Sequence, residues 1–397
     1  MKPITATVLT INGGSSGIKF ALYDISDSLK FLFSGELAFR DNHATLNFRD
    51  EMMVQKMMTE FDDVDPHNAA DFLIDQLEKQ DHFNTINVIG HRIVHGMKHT
   101  APKVLTPELL NDLKSITAYD PEHLPREIKL IEAFKKRLPT TPQVACFDTA
   151  FHSDMPDVAK LLSIPRRFQK DGIHRYGFHG LSYAYLLVEL EKIAGKEIAH
   201  GKIIIAHLGN GASLAAIKNG KSIDTSMGFT PSSGIPMGTR TGDLDPGIAW
   251  YMMQFEKLTP KEFNHIVNHE SGLLGISETS SDMRELLKIQ TTDSRASEAI
   301  ELFCYETKKN VGSFSAVLGG LETIIFSGGI GEHSPEVRSM ICDGLQFLGI
   351  ELDEIKNMNN QGIISSDESK VCVRVIKTNE ELMIARTTCF VLNNQLP

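Results

Sequence analysis

The feature that most constrains this chain is a block that occurs twice. Asn12-Gly13-Gly14-Ser15 and Asn210-Gly211-Ala212-Ser213 share the pattern Asn-Gly-x-Ser. The first stands between apolar, β-forming runs at 6–11 and 18–23, the second between runs at 202–207 and 213–217. A glycine loop between two strands lets backbone N–H groups approach an anion with no Cβ in the way. Its repetition points to a duplicated domain with a phosphate loop in each half. A third glycine loop, Ser327-Gly328-Gly329-Ile330-Gly331, closes the apolar run 323–327. None of the three has Walker A spacing and no G-x-G-x-x-G opens a helix, so neither a P-loop nor a dinucleotide fold is indicated.

Further strands are expected at 31–39, 44–48, 143–147 and 371–376, and an Asn219-Gly220 turn starts the hairpin after 213–217. Helices are expected at 66–80, 107–117, 125–138, 245–256, 260–268, 281–289, 294–318, 334–348 and 380–388. Strands mixed with helices throughout mean α/β layers rather than a bundle or a sandwich. A chain of 397 residues has room for two such domains.

Charge and cysteine usage narrow the chemistry. The net charge of −11 leaves no basic field to attract nucleic acid or an anionic membrane, so any anionic ligand must be held by local donors. The five cysteines are dispersed and lack CxxC or Cys/His spacing, which argues for a reducing compartment and against disulfides or a zinc site. No run of about 18 apolar residues is present and the start of the chain does not read as a signal peptide, so a cytoplasmic location is expected.

The local donors are few. Lys19 lies in the strand after the first glycine loop, within reach of a phosphate chain. Arg92 in Gly90-His91-Arg92-Ile93-Val94-His95-Gly96 and Arg240 in Pro236-Met237-Gly238-Thr239-Arg240 lie in segments that contain glycine or histidine, and small residues near an arginine let its guanidinium bridge two oxygens of one phosphate or carboxylate. His179 sits between aromatic residues and glycine, Asp148 follows the strand 143–147, and Glu380 with Glu381 opens the last helix. Singly, each also fits a solvated strand residue, a surface ion pair, a core histidine or a helix-dipole carboxylate.

Their order along the chain is more specific. Asn12-Gly-Gly-Ser-Ser, Gly90-His-Arg-Ile-Val-His-Gly, Phe147-Asp-Thr-Ala-Phe-His, Tyr176-Gly-Phe-His-Gly, His207-Leu-Gly-Asn-Gly-Ala-Ser, Met227-Gly-Phe-Thr-Pro, Met237-Gly-Thr-Arg, Gly242-Asp-Leu-Asp-Pro, Ser271-Gly-Leu-Leu-Gly-Ile-Ser, Gly328-Gly-Ile-Gly-Glu and Thr378-Asn-Glu-Glu follow one another. This set resembles the acetate kinase family of acetate and propionate kinases over essentially the whole chain. The resemblance implies the duplicated actin-like, sugar-kinase and heat-shock ATPase fold (ribonuclease H-like), two lobes with a ligand cleft between them. The lobes would be 1–150, joined by 383–397, and 151–382, the second carrying the nucleotide and a homodimer contact. It implies reversible transfer of a phosphoryl group from ATP to acetate with Mg²⁺, for which Mn²⁺ is a substitute.

By the same resemblance Asp148, His179 and Arg240 are catalytic, and Arg92, Val94, Phe178 and Pro231 bind the acid. Lys19, His207, Leu208, Gly209, Asn210, Gly211, Asp282, Met283, Arg284, Gly329, Ile330, Gly331, Glu332 and His333 would meet ATP, while Asn12 and Glu380 organise the metal. Departures from the family pattern are Gly17 for a serine, His333 for an asparagine, and Glu122 and Leu124 at the acyl pocket, with Met97-Lys98, Ser232-Ser233 and Met283. The alternatives are a kinase of propionate or another short-chain acid, a pyrophosphate-using relative, and a non-kinase ATPase or sensor on the same fold.

Overall fold

The computed structural model describes residues 6–14, 17–40, 43–50, 55–61, 68–80 and 82–393. Ser15 and Ser16 of the first glycine loop, and the start of the helix expected over 66–80, lie outside the described residues. The chain divides into two compact units, Met1–Ala150 with Asn379–Pro397, and Phe151–Thr378. The chain re-enters the first unit at Asn379, ahead of the last helix, so that Glu380 and Glu381 belong to that unit.

The first unit holds β1 (Thr7–Gly13), β2 (Gly17–Asp24), β3 (Lys30–Arg40), β4 (His43–Asp50), β5 (Gln55–Phe61), β6 (Ile86–Ile93), β7 (Lys103–Val104) and β8 (Gln143–Phe147). The second holds β9 (Lys202–Leu208), β10 (Ala212–Lys218), β11 (Lys221–Thr225), β12 (Thr323–Ser327) and β13 (Cys372–Val375). Five helices matter below: α1 (Leu124–Arg137), α2 (Gly180–Ala194), α3 (Ser294–Leu318), α4 (Gly328–His333) and α5 (Glu380–Asn393).

The first sheet runs β5-β4-β3-β2-β1-β6-β8-β7 and the second β11-β10-β9-β12-β13. Around β1 the pairing is antiparallel to β2 and parallel to β6, with β3 antiparallel beyond β2 and β8 parallel beyond β6. Around β9 the same senses recur: β10 and β11 antiparallel on one side, β12 and β13 parallel on the other. Two sheets with one strand order are the duplication, and this is the actin-like arrangement. The shared Asn-Gly-x-Ser letters, however, do not fall on matching positions. Asn12 lies within β1 opposite Lys19, whereas Asn210 is in the turn itself, beyond the Leu208–Ala212 pair.

Burial explains why β1 is central: all seven of its residues are buried. Leu9, Ile11, Phe20, Leu22 and Leu37 pack with Leu73, Ile74 and Leu77 of the helix Ala69–Leu77 and with Leu130 and Phe134 of α1. Each such side chain contributes about 1.5–3 kcal/mol. α5 packs on β1, β6 and β8 through buried Ile384, Ala385 and Thr388. In the second unit, Tyr183, Leu186, Leu187 and Leu190 recur at helical spacing and bury one face of α2 against Ile203, Ile205, Ala215, Ile217 and Ile325.

Several elements differ from sequence expectation. β5 and β6 were not foreseen, because Gln-Lys-Met-Met-Thr-Glu-Phe and Ile-Asn-Val-Ile-Gly-His-Arg-Ile lack clean alternation and are strands through their neighbours. The expected helix 334–348 stops at Cys342 and resumes only as a 3₁₀ turn at Gln346–Leu348, with Gly344 at φ 76° between them. The Asn219-Gly220 turn has positive φ at both residues, as a two-residue hairpin requires. No described helix is long and apolar enough to cross a membrane.

Candidate active site

β1, β6 and β8 are parallel, so Asn12, Arg92 and Asp148 come from the same end of the first sheet, the carboxyl ends where open α/β sheets collect ligands. Arg92 Nε and Nη2 donate to Asp148 Oδ2 at 2.9 and 2.6 Å, and Nη1 donates to Asn12 Oδ1 at 3.2 Å. Asn12 Nδ2 in turn donates to Glu380 Oε2 at 2.9 Å and Glu381 Oε1 at 3.1 Å. Burial works against the Arg92 charge, but Asp148 and then Glu380 more than offset it, and the guanidinium is held above its ordinary range. Burial and the adjacent Glu380 charge raise the Glu381 carboxyl. Lys19 is exposed on β2 opposite Asn12.

Beneath this cluster lies Glu127, fully buried in the first turn of α1. Both its oxygens accept from the Val94 N–H, at 3.1 and 3.2 Å. Burial first, and Asp120 second, push its carboxyl well above the usual range. Val94, the expected acid-binding residue, is thereby fixed through its backbone.

Asn12, Glu380 and Glu381 offer hard oxygen donors, the class that suits a small divalent cation, and the raised Glu381 beside Glu380 marks a like-charge pair that such an ion relieves. Among the described residues no group of three or more His, Cys, Asp or Glu is arranged to hold a metal. An ion here would therefore draw most of its ligands from phosphates and water, as Mg²⁺ does.

In the second unit His179 precedes α2 with φ 57°, a left-handed conformation. Its Nδ1 is 2.8 Å from Ser213 Oγ. A methyl built on Gly211 would lie 3.3 Å from His179 Nε2 and 3.7 Å from Arg240 Nη1. Imidazole and guanidinium thus border one point above the β9–β10 turn. Arg240 Nη1 donates to the Pro231 carbonyl at 3.1 Å. The loop that carries it docks on the turn: Gly238 N donates to Asn210 O at 3.0 Å, and a Cβ on Gly238 would run into Asn210 Oδ1, so a larger residue there requires the Asn210 side chain to move. Phe178 and Pro231 are both buried.

The nucleotide candidates are also gathered. A Cβ on Gly209 would lie 3.9 Å from Gly329 N, so the turn 209–211 and the start of α4 are neighbours. Glu332 Oε1 accepts from Gly328 N at 3.0 Å and Thr378 N at 3.1 Å, which closes α4 onto the segment before α5. Asp282 caps the helix Met283–Ile289 by accepting from Arg284 N at 2.9 Å, and the carbonyl of neighbouring Ser281 would be 3.3 Å from a Cβ on Gly238. Leu208 and Met283 are core residues, whereas His333 and Arg284 are exposed.

A profile of the acetokinase family matches residues 7–386. The chain belongs to the acetokinase family. An acetate kinase from Thermoanaerobacterium thermosaccharolyticum is 42% identical over 394 residues, 96% of this chain and 98% of that protein. One from Rhodopseudomonas palustris is 40% identical over 388 residues, 96% of each. The crystal structure of a propionate kinase from Francisella tularensis superposes with a TM-score of 0.90 at 36% identity, covering 97% of this chain and all (100%) of that one. Porphyromonas gingivalis acetate kinase gives 0.86 at 36% identity, with 98% and 100% covered.

For this acetokinase, two departures now have a physical reason. A Cβ on Gly17 would lie 2.4 Å from the Leu37 carbonyl, so glycine at 17 serves the β2–β3 pairing. Leu124 is fully buried among Ile93, Leu109, Leu113 and Ile128, as a core residue. Glu122 is half-buried. Sequence reasoning gave no role to Glu127, Ser213, Tyr183 or Arg338. Ser213 stood in the repeated Asn-Gly-x-Ser block without a role of its own, and Glu127 showed only as a carboxylate in a first helical turn, a feature that reads as surface.

Proposed function

We propose that this chain is a Mg²⁺-dependent acetate kinase, transferring the γ-phosphoryl of ATP directly to an acetate oxygen to give acetyl phosphate and ADP. The observation that carries the reading is the pairing of His179 Nε2 with Arg240 Nη1 over Gly211, beside the glycine start of α4. The acceptor carboxylate is ionised at neutral pH, with a pKa near that of Glu at about 4.3, so no general base is required. What remains is positioning and charge stabilisation of a loose phosphoryl in flight.

In this reading Arg240 and His179 stabilise the transferring phosphoryl, and Arg92 holds an acid or phosphoryl oxygen. Asp148 takes the Nε edge of Arg92 and so sets the orientation of its guanidinium. Val94, Phe178 and Pro231 supply apolar surface for a short acyl group. Lys19, His207–Gly211, Asp282–Arg284 and Gly329–His333 meet the nucleotide, and Asn12 and Glu380 hold the metal with the phosphates. When bound, Mg²⁺ neutralises charge on the phosphate oxygens.

The likeness to a propionate kinase structure supports a second reading, a preference for the longer acid. We further propose a cytoplasmic homodimer. Its support is the helix Pro246–Phe255, where Trp250, Tyr251 and Phe255 are exposed and no residue is buried.

The test is hydroxamate trapping of the acyl phosphate formed from ATP with acetate, propionate or butyrate. Acetyl hydroxamate from acetate is expected to dominate. Preference for a longer acid selects the second reading. Turnover with pyrophosphate but not ATP, or ATP hydrolysis without trapped product, would overturn both.

A further inference from the structure

Two imidazoles stand beside the β9–β10 turn, and they are held in the same way. His179 and His207 have ring centroids 4.5 Å apart. His179 Nδ1 is 2.8 Å from Ser213 Oγ, which is 2.5 Å from the Tyr183 hydroxyl. His207 Nδ1 is 2.8 Å from Ser182 Oγ, which is 2.8 Å from Thr378 Oγ1. Ser182 and Tyr183 are consecutive, both fully buried in the first turn of α2. The opposite ring nitrogens face the turn: a Cβ on Gly211 would lie 3.3 Å from His179 Nε2, and one on Gly209 would lie 4.0 Å from His207 Nε2.

A serine hydroxyl carries one proton. Where it bridges a phenol and an imidazole nitrogen, the direction of donation fixes the ring's tautomer. The phenol is the more acidic hydroxyl and the better donor. With Tyr183 donating to Ser213, the Ser213 proton is directed at His179 Nδ1, and the ring proton is left on Nε2, facing Gly211. We infer that Ser213 and Tyr183 are positioning residues that hold His179 as its Nε2–H tautomer. The His179 N–H is then aimed at the turn 209–211, where the proposed function places the phosphates. An imidazole protonated on Nδ1 alone would turn a lone pair toward an anion instead.

The inference rests on the proposed function for its consequence, but its core is measurable without substrate. Selective ¹⁵N-histidine labelling of the full chain and two-bond ¹⁵N–¹H correlation reads the tautomer of each ring, with His179→Gln and His207→Gln for assignment. Nε2–H at His179 is expected, and Nδ1–H there would overturn the inference whatever the activity. Ser213→Ala should mix the His179 tautomers and lower kcat about tenfold with little change in KM for ATP, while Ser213→Thr restores both. Ser213→Ala with an unchanged His179 spectrum and kcat would also overturn it. Should Ser213→Ala fail to fold, Tyr183→Phe reads the same relay from its other end. A wild-type chain that shows the Nε2–H tautomer but no acyl phosphate would refute the proposed function and leave the tautomer assignment standing.

Discussion

Gly211→Ala isolates the candidate phosphoryl point from the stability of the fold. The added methyl would have only side-chain atoms near it: His179 Nε2 at 3.3 Å, His179 Cε1 at 3.6 Å and Arg240 Nη1 at 3.7 Å. No backbone atom is crowded, and Gly211 is not among the glycines with positive φ. The only strain is a shift of a few tenths of an ångström in one ring. Loss of glycine flexibility in the unfolded chain offsets it by about 0.4–1 kcal/mol, so the net stability change should stay within about 1 kcal/mol. Function should suffer far more. The methyl occupies the point that both donors border, and an anion displaced from it loses two charge-assisted hydrogen bonds, about 1.5–2 kcal/mol each. Together these correspond to a fall in kcat of about 10²–10³-fold. ADP release in a coupled assay, with thermal unfolding of the same sample, separates the two effects. A folded Gly211→Ala variant with kcat within about threefold of wild type would refute the reading of this point as the transfer site.

Two further outcomes follow from buried groups. Arg338 is fully buried with no carboxylate among its bonded acceptors; it donates to Gly331 O, Asn357 Oδ1 and Asn357 O at 2.8 Å and to Asn360 Oδ1 at 2.6 Å, and burial lowers its pKa to about 10. Arg338→Met fills the space but strands those acceptors, so the urea midpoint should fall by the equivalent of about 3–5 kcal/mol and KM for ATP should rise as α4 loosens; an unchanged midpoint contradicts this. His91 and His152 are lowered to about 4, chiefly by burial, from an unfolded value of 6.5. Between those pH values the unfolded chain binds more protons, so stability falls as pH drops from 6.5 toward 4, by about 3 kcal/mol per ring when complete. His152→Gln should flatten the dependence of Tm on pH in that window, and an unaltered slope would show that the ring is not neutral in the fold.

How much was legible varied with the range of the interaction. Asn219-Gly220 announced its hairpin because both residues tolerate positive φ, a property of the residues themselves. The helix expected at 294–318 was legible in the same local way and runs over Ser294–Leu318, whereas α2 was not expected although Tyr183, Leu186, Leu187 and Leu190 recur at helical spacing. β6 did not show itself, because Gly90, His91 and Arg92 break the alternation; it is a strand through pairing with β1 and β8. The repeated Asn-Gly-x-Ser suggested the right duplication from letters that occupy different places in the two hairpins.

By itself the sequence determined the α/β class, the duplication, the three glycine loops and the family, since each depends on residue type and local order. Only the tertiary structure decided that two of those loops adjoin, that Asp148 grips Arg92, and that Ser213, Tyr183 and Ser182 stand behind two imidazoles. Those pairings join strands and helices far apart along the chain. Their strength comes from burial and a few tenths of an ångström, quantities that no string of residues carries until the sheets have formed.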